Sequence, residues 1–348
     1  MNLKQLGWNE AFGEKDLNTV VARVISEQRQ IYKLHDGENE LTGEVSGKFQ
    51  FQAKVKSDYP SVGDWVVIEP LKGENKAIIQ KVLPRISQFS RQSAGEKTEE
   101  QIVAANIDYV FLVMALNNDF NIRRLERYLL VAYDSGANPI IVLTKKDLCT
   151  DLPTKIAAVE EIAFGVPIYS VNSTTGEGIE ELKQLISEGM TVSLLGSSGV
   201  GKSTLLNALI GEVIQITQDV REGDDRGKHT TTHRELFFLP SGGMVIDTPG
   251  MRELQLWGGE DHIRSTFTDV EELAKSCKFS DCTHANEPGC AVNLAIENGE
   301  LDQQRLTSYH KLMRELAYAE RKQDASLARQ ERDKWKKISK MMNTKSYK

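Results

Sequence analysis

Eight residues near the middle of the chain constrain its fold more than any other segment. They fit the P-loop pattern and are Gly196, Ser197, Ser198, Gly199, Val200, Gly201, Lys202 and Ser203. The apolar run Val192–Leu195 before them predicts a strand, and Thr204–Ile210 after them predicts a helix. In that setting the glycines let backbone N–H groups converge on phosphate oxygens beside a helix N-terminus. The segment therefore predicts an α/β sheet that binds a nucleotide.

The end of this loop has expected roles toward a bound nucleotide. We expect Lys202 to contact the β- and γ-phosphates and the Ser203 hydroxyl to ligate Mg²⁺. We also expect Thr204, the next residue, to contact the nucleotide. The alternative is a glycine- and serine-rich turn with an exposed lysine, and the flanking strand and helix argue against it.

Two downstream segments complete the predicted phosphate site. The strand Met244–Ile246 runs into Asp247-Thr248-Pro249-Gly250. Asp247 can hold a Mg²⁺-bound water, and the Gly250 N–H can bind the γ-phosphate. Three consecutive threonines precede this strand, of which one can complete the Mg²⁺ coordination; we favour Thr231 or Thr232.

The attacking water is predicted to depend on a histidine. Many nucleotide hydrolases of this kind carry Gln just after the Asp-x-x-Gly element, but Met251 stands here. A thioether orients water poorly, so we expect slow intrinsic turnover. His229 is the first candidate for the group that orients the water, and His233 is the second. Lys202 and Gly250 are the other two predicted catalytic residues. A loop histidine without a catalytic role is the alternative.

A second constellation points to the base of the nucleotide. Thr144, Lys145, Lys146 and Asp147 follow the predicted strand Pro139–Leu143 and are similar to the guanine-specificity element Asn-Lys-x-Asp. A carboxylate at Asp147 can accept hydrogen bonds from guanine N1–H and the exocyclic amine, whereas adenine offers no such pair. Asn172 and Ser173 lie in a following loop that is similar to a second guanine-contacting element. The pattern favours GTP and GDP over adenine nucleotides.

The order of these elements along the chain is unusual. The base-reading segments at 144–147 and 172–174 precede the P-loop, which precedes the segments at 226–250. Ordinary G proteins have the P-loop first. The same parts can occupy the same places if the chain is circularly permuted, which is tolerated where termini lie close together. The γ-phosphate-sensing segment then runs directly into the C-terminal region, so nucleotide state is expected to move that region.

The N-terminal residues 1–97 are predicted to form a small β-barrel. The β-prone runs are Val20–Ile25, Gln30–Leu34, Leu41–Val45, Phe49–Val55, Trp65–Glu69 and Ala77–Val82. In Phe49–Val55 apolar and polar residues alternate, which is typical of a half-buried strand. An OB-type barrel is our expectation, although spacing alone does not separate it from an SH3-like one.

Residues 98–257 alternate apolar strand runs with helical patterns, which predicts a parallel sheet covered on both faces. Residues 258–348 are helical and polar, and from Arg321 onward they are rich in Lys and Arg. The predicted architecture is therefore an OB-type barrel, a circularly permuted α/β P-loop domain and a helical C-terminal domain with a basic tail.

A cysteine cluster predicts a metal centre at the start of the C-terminal region. Cys277, Cys282, His284 and Cys290 lie within fourteen residues and supply three thiolates and one imidazole. That is a full tetrahedral set for one structural Zn²⁺, with no open position for catalysis. The remaining Cys149 is expected to be a small core residue.

Composition excludes several other classes of protein. Hydrophobic residues make up 40% and charged residues 27% of the 348, which argues against a disordered chain. The net charge of −7 argues against a protein that coats nucleic acid through uniform positive charge, although a local basic patch is compatible with it. No apolar run approaches the length of a membrane span, and the first residues lack an apolar secretory core, so we expect a cytoplasmic monomer.

These features together resemble one family, the ribosome small-subunit-dependent GTPase A (RsgA, YjeQ, YloQ) family. The resemblance rests on the permuted order, the Arg226–His233 segment, the cysteine spacing and the barrel, and it extends from about Val20 to Leu316. It implies a late-acting assembly factor for the small (30S) ribosomal subunit. Such a factor would bind 16S rRNA, hydrolyse GTP slowly alone and faster on the subunit, and then dissociate. Asn172 and Thr174 depart from the family pattern, as does the long basic tail.

Two other functions fit the same motifs. One is a GTPase of signalling or transport whose barrel binds protein. The other is an RNA-binding scaffold in which GTP only sets conformation, which Met251 favours and the set Lys202, Ser203 and Asp247 disfavours.

Overall fold

The computed structural model describes residues 1–13, 19–28, 30–92, 100–211, 234–247, 263–264, 266–285 and 287–323. The chain divides into two compact units, Met1–Gln255 and Leu256–Lys348. Within the ranges given, no helix combines the length and the apolar character needed to cross a membrane.

The first part of the larger unit is a closed five-stranded barrel. Its strands are β1 (Val20–Gln28), β2 (Ile31–His35), β3 (Glu40–Val45), β4 (Trp65–Pro70) and β5 (Lys76–Val82), with helix α1 (Gly47–Gln52) between β3 and β4. They pair in the order β1-β2-β3-β5-β4, and β4 returns to β1. β3 and β5 are parallel and the other pairs antiparallel. This topology is the OB-type one and confirms the predicted barrel.

The prediction of a strand over Phe49–Val55 is wrong. The Ser46 hydroxyl accepts a hydrogen bond from the Phe49 N–H at 3.1 Å, which caps α1 and starts a helix there. Phe49 packs inside the barrel with its ring 5.7 Å from that of Tyr59, whereas the Phe51 ring is 92% exposed. Only one of the alternating apolar residues is therefore buried in the core.

The second part of the larger unit is a mostly parallel sheet. A hairpin of β6 (Gln88–Gln92) and β7 (Glu100–Ala105) precedes it. The sheet and its helices are β8 (Tyr109–Ala115), α2 (Ile122–Ser135), β9 (Asn138–Thr144), α3 (Leu152–Ile162), β10 (Ile168–Ser170), α4 (Ile179–Leu185), β11 (Thr191–Leu195), α5 (Lys202–Ile210), β12 (Arg234–Phe238) and β13 (Met244–Asp247).

The strand order places the predicted site at one edge. The order is β10-β9-β8-β11-β13-β12, in which only β12 is antiparallel to its neighbour. The carboxyl ends of the parallel strands therefore meet at the same edge, where open α/β sheets bind their ligands. Buried apolar residues such as Phe111, Val142 and Leu194 form the core beneath it.

The barrel and the sheet are joined through the backbone. β12 pairs with β1 at Ser26↔Glu235 and Glu27↔Arg234, so the two parts form one continuous sheet of eleven strands. A Cβ at Gly63 in the barrel would lie 2.0 Å from the Ala105 carbonyl oxygen, and its φ of +92° also favours glycine. Barrel and sheet therefore approach more closely than a side chain at that position allows.

A buried arginine crosses the same junction. The Arg23 guanidinium donates to the carbonyl oxygens of Leu6 (2.5 Å), Asn106 (3.1 Å) and Gly63 (3.3 Å). Its Nη1 also lies 3.3 Å from the sulfur of Met244, the first residue of β13. Burial lowers the pKa of Arg23 to about 10, so the side chain stays charged at neutral pH.

The second unit is helical, as predicted. Its helices are α6 (Thr268–Ala274), α7 (Ala291–Glu297) and α8 (Gln303–Gln323). Arg305 on α8 pairs with Asp269 on α6 through two bonds of 2.9 and 3.0 Å. The same guanidinium lies 4.1 Å from the centre of the buried Phe267 ring. This contact fastens α8 onto α6.

Candidate nucleotide site and metal centre

The P-loop runs from the end of β11 into α5 and depends on glycine at close contacts. A Cβ at Gly196 would lie 2.5 Å from the Val113 carbonyl oxygen. Gly199 and Gly201 have φ of +77° and +98°, which L-residues with a Cβ rarely adopt. The Gly201 carbonyl then accepts from the Leu205 N–H at 2.8 Å and begins α5. The predicted strand–loop–helix geometry is present.

The P-loop lysine folds back over its own loop. Lys202 Nζ donates to the carbonyl oxygens of Gly196 (2.8 Å) and Ser197 (2.7 Å). Ser203 and Thr204 lie half-buried in the first turn of α5, while Ser198 and Gly199 are exposed. An ammonium group beside the open N-terminus of a helix is an arrangement that binds phosphate.

The predicted base loop lies directly against the P-loop, about fifty residues away in the sequence. The buried Thr144 hydroxyl donates to the Val200 carbonyl at 2.5 Å. Lys145, with a left-handed φ of +56°, donates from Nζ to the Gly199 carbonyl at 2.7 Å. These two bonds bring the ends of β9 and β11 into one site.

The second base loop is held to the first. The Asn172 side-chain oxygen accepts from the N–H groups of Thr174 (3.0 Å) and Thr175 (3.3 Å). The Lys146 N–H donates to the Val171 carbonyl at 3.2 Å, and Lys146 Nζ pairs with Glu177 at 2.5 Å. The loops at 144–147 and 172–177 therefore form one structural element.

Two polar groups of this element fit a bound base. Within the described ranges, the exposed Asp147 carboxylate makes no hydrogen bond. The Ser173 hydroxyl oxygen is buried and has no hydrogen-bond partner among the described residues. A buried hydroxyl without a partner costs free energy, which a polar ligand edge would remove.

Sequence reasoning missed a polar cluster at the mouth of the P-loop. Arg124 Nη1, in the first turn of α2, donates to Ser197 Oγ at 2.7 Å and to Asp119 Oδ2 at 2.8 Å. Ser197 Oγ also donates to Asp119 at 3.1 Å. Asp119 comes just after β8, and a search for polar residues at the strand ends would have found it.

The remaining predicted residues divide between the described and the undescribed parts of the chain. Asp247 ends β13, which pairs with β11, the strand that leads into the P-loop. Four of the residues discussed above lie outside the described residues, namely His229, Thr231, Gly250 and Met251. The alternatives Thr232 and His233 lie outside them as well.

The predicted metal ligands converge in the C-terminal unit. The ligand atoms of Cys277, Cys282, His284 and Cys290 all lie within 4.8 Å of one another. Cys277 Sγ is 3.9 Å from Cys290 Sγ and 3.6 Å from His284 Nδ1, and the remaining Cys290–His284 distance is 3.4 Å. Burial lowers the pKa of His284, which keeps its imidazole neutral, as a ligand must be. The cluster can hold one metal ion.

The loop around this cluster is braced by a carboxylate. Glu287 accepts from the Thr283 hydroxyl at 2.5 Å and from the N–H groups of Thr283 (3.1 Å) and Ala285 (2.9 Å). These hydrogen bonds lower the pKa of Glu287 to about 2. Cys290 also caps α7, because its sulfur accepts from the Asn293 N–H at 3.4 Å.

Comparisons with known proteins agree with this geometry. The family model for the RsgA GTPase matches residues 82–257. The Small ribosomal subunit biogenesis GTPase RsgA 1 of Oceanobacillus iheyensis is 49% identical, over 97% of this chain and 98% of its own length. The RsgA of Opitutus terrae is 45% identical, over 97% of this chain and 96% of its own.

Two solved structures are similar over most of the chain. The crystal structure of YjeQ from Thermotoga maritima has a TM-score of 0.61 and 30% identity, covering 86% of this chain and 98% of its own. YloQ, described as a circularly permuted GTPase, has a TM-score of 0.60 and 26% identity, covering 87% and 98%.

Proposed function

The chain belongs to the RsgA GTPase family, and on that premise we propose that it is a GTP hydrolase acting late in maturation of the small (30S) ribosomal subunit. In this proposal it hydrolyses GTP slowly alone and faster on the subunit, contacts 16S rRNA, and dissociates after hydrolysis. It acts as a cytoplasmic monomer. Residues 1–97 contact RNA, residues 98–257 hydrolyse GTP, and residues 258–348 form the metal-binding domain.

One observation carries the choice of nucleotide. The loop bearing Asp147 is bonded to the P-loop through Thr144 and Lys145, so a nucleotide with its phosphates on Lys202 presents its base to Asp147. A carboxylate can accept two hydrogen bonds from guanine and none from adenine N1. The unpartnered Ser173 hydroxyl supports the same pocket.

The proposed hydrolysis uses residues of this chain around the phosphates. Lys202 leaves its loop carbonyls and neutralises the β- and γ-phosphate oxygens, while the N–H groups of the loop hold them. Ser203, Asp247 and Thr231 would hold Mg²⁺, which supplies charge neutralisation at those oxygens. His229 orients the attacking water, and the Gly250 N–H binds the γ-phosphate.

The metal of the cysteine cluster is proposed to be Zn²⁺. Tetrahedral sulfur ligands at about 2.3 Å from the ion lie roughly 3.8 Å apart, and the observed Cys277–Cys290 separation is 3.9 Å. A set of three thiolates and one imidazole leaves no open position, which suits a structural ion. Cys277, Cys282, His284 and Cys290 would hold it and fix the fold of the C-terminal unit.

Phosphate release tests the enzymatic proposal directly. We would measure it from GTP and from ATP, each alone, with purified small subunits and with large subunits. The expected result is hydrolysis of GTP only, stimulated by small subunits only. A GTP rate indifferent to subunits would keep the GTPase and overturn the ribosomal role, in favour of signalling or transport.

The water-orienting assignment has its own test. His229→Ala is expected to lower subunit-stimulated turnover while leaving GTP affinity near that of the wild type. His233→Ala tests the second candidate in the same assay and is expected to leave stimulated turnover near that of the wild type. Unchanged stimulated turnover in His229→Ala would show that a group other than His229 orients the water.

A further inference from the structure

The connection between β3 and β4 carries an exposed aromatic ring. We call residues 47–57, which include α1, the α1 arm. Phe49 anchors the arm in the barrel interior and is 8% exposed, whereas Phe51, two residues on, is 92% exposed. Asp58 fixes the end of the arm by accepting from the N–H groups of Lys54 (2.8 Å) and Val55 (3.2 Å). The ring is therefore presented on a braced support and not on a chain end.

The arm is basic, although the whole chain is acidic. Lys48, Lys54 and Lys56 are exposed, and the arm itself includes no acidic residue, whereas the exposed Asp58 follows it directly, in a chain of net charge −7. Gln50 and Gln52 are exposed beside Phe51 and offer both donors and acceptors. Val55 is the other large apolar side chain that the arm exposes, and the remaining exposed side chains of the arm are polar or cationic. Such a composition suits a charged partner better than an apolar protein surface.

The face with which OB-folds usually bind oligonucleotides, around strands 2 and 3, is different here. The exposed charged residues of β2 and β3 are Lys33, Glu40 and Glu44. Lys33 is paired with Glu40 at 2.8 Å, which leaves one acidic residue in excess. Proteins bind the nucleic-acid backbone through Lys and Arg, and this face has no unpaired one to offer. Its excess negative charge therefore repels phosphates.

We propose that the α1 arm is a contact site for unpaired RNA, with Phe51 stacking on one base and Lys48 and Lys54 facing the flanking phosphates. The inference deepens the proposed ribosomal function by naming the element and the chemistry of the contact. An exposed ring between cations is the combination with which proteins bind single-stranded nucleic acid. Stacking tolerates any base, so the site selects unpaired nucleotides and not a sequence.

The test uses the full-length protein with purified small subunits and with a short unstructured RNA oligonucleotide. Phe51→Ala is expected to weaken both complexes about 5- to 150-fold, the range for one stacked base. Thermal melting of this variant should match the wild type, because the ring is exposed. Phe164→Ala is the matched control, since Phe164 is 99% exposed but follows the exposed acids Glu160 and Glu161.

Two further variants separate stacking from apolar contact. Phe51→Trp should retain binding, and its fluorescence, after subtraction of the wild-type signal, should be quenched by the oligonucleotide. Phe51→Leu should bind as poorly as Phe51→Ala. Lys54→Ala should lower the slope of log affinity against log salt by about 0.7.

Three outcomes would overturn the inference. One is Phe51→Ala binding like Phe164→Ala, and another is Phe51→Leu restoring subunit binding, which would indicate a protein partner. The third is a salt slope that Lys54→Ala leaves unchanged. In each case subunit-stimulated GTP hydrolysis by the wild type would keep the proposed function, whereas its loss would remove that function as well.

Discussion

At the scale of single residues, we propose that the Asp147 carboxylate determines which base the site accepts. It lies exposed in a turn that is bonded to the P-loop on one side and to the Asn172 loop on the other. The turn is therefore held in place before any nucleotide arrives, which lowers the ordering cost of binding.

Asp147→Asn is expected to weaken GTP binding by roughly 10- to 100-fold, since an amide presents a donor to the guanine amine. The same amide can donate to the C2 oxygen of xanthine, so xanthosine triphosphate should gain affinity. Competition against a fluorescent guanine nucleotide measures both. Asp151→Asn is the control, because Asp151 caps α3 by accepting from the Thr154 N–H. Equal losses for both nucleotides would contradict the assigned contact.

The Arg124 cluster supports a prediction about the phosphate end. Arg124→Ala leaves the Asp119 carboxylate without its cation beside Ser197, so it should repel a triphosphate and weaken GTP binding about 5- to 10-fold. Asp119→Asn added to that variant removes the stray charge and should recover part of the affinity. Calorimetric titration with GTP of the two single variants and the double variant gives the coupling. Strictly additive losses would show that the two residues act separately.

Motifs predict some of these residues and not others. Residue spacing alone indicates the P-loop, Asp147 and the four proposed metal ligands, because the proposed chemistry requires those residue types at those intervals. Arg124 has no such signature, and Asp119 is indicated only by its place after a strand. Their role arises because β8 and β11 are adjacent in the sheet, and a local pattern contains no information about strand adjacency.

At the scale of elements, runs of apolar residues correctly predict the positions of two buried strands of the sheet. β11 extends the predicted Val192–Leu195 by one residue at its start, and β9 extends the predicted Pro139–Leu143 by one residue at each end. The hairpin of β6 and β7 has no such signal in its first strand, whose sequence Gln88–Gln92 is mostly polar. In the α1 arm the alternation is misleading, because the cap at Ser46 favours a helix and leaves Phe51 outside the core.

The metal loop provides a prediction at this scale. Cys290 is a proposed ligand and also the N-cap of α7, whereas Cys282 is proposed only as a ligand. Cys290→Ala should therefore destabilise the C-terminal unit by about 1 kcal/mol more than Cys282→Ala, the usual value of a cap. Cys290→Ser keeps a capping oxygen and should fall between them.

Metal content by mass spectrometry and helicity by circular dichroism measure these effects in the full-length protein. Chelation of the wild type should lower helicity, since thiolate sites couple metal binding to folding. Full helicity in the metal-free wild type would contradict a structural role for the ion.

At the scale of the whole molecule, Arg23 connects three parts of the larger unit. Its guanidinium satisfies carbonyls from the N-terminal segment, the barrel and the start of the sheet. Neither composition nor periodicity indicates this role, because a lone arginine in a strand is ordinarily exposed.

Arg23→Met keeps much of the volume but leaves the buried carbonyls of Leu6 and Asn106 without the arginine donor, while the Gly63 carbonyl keeps its bond of 3.1 Å from Asn106 Nδ2. We expect it to lower the free energy of unfolding by about 2–6 kcal/mol, since each buried acceptor left without a donor costs roughly 1–3 kcal/mol. Urea denaturation checks this, with Lys33→Met as the control, because Lys33 is an exposed partner of Glu40 on the same barrel. The control should change stability by less than about 1 kcal/mol. Similar losses in the two variants would contradict the role given to Arg23.

The pairing of β1 with β12 also has a consequence for how the protein is made. β1 leaves the ribosome early, whereas its partner at Arg234–Phe238 follows about 200 residues later, which takes roughly 10–40 s at ordinary rates of synthesis. Throughout that interval the nascent barrel presents an unpaired strand edge at Ser26 and Glu27, where a second chain could add. A charged residue at an unpaired edge disfavours the addition of another strand, and Glu27 has this effect while the chain is incomplete. In the folded protein the same carboxylate pairs with Arg234.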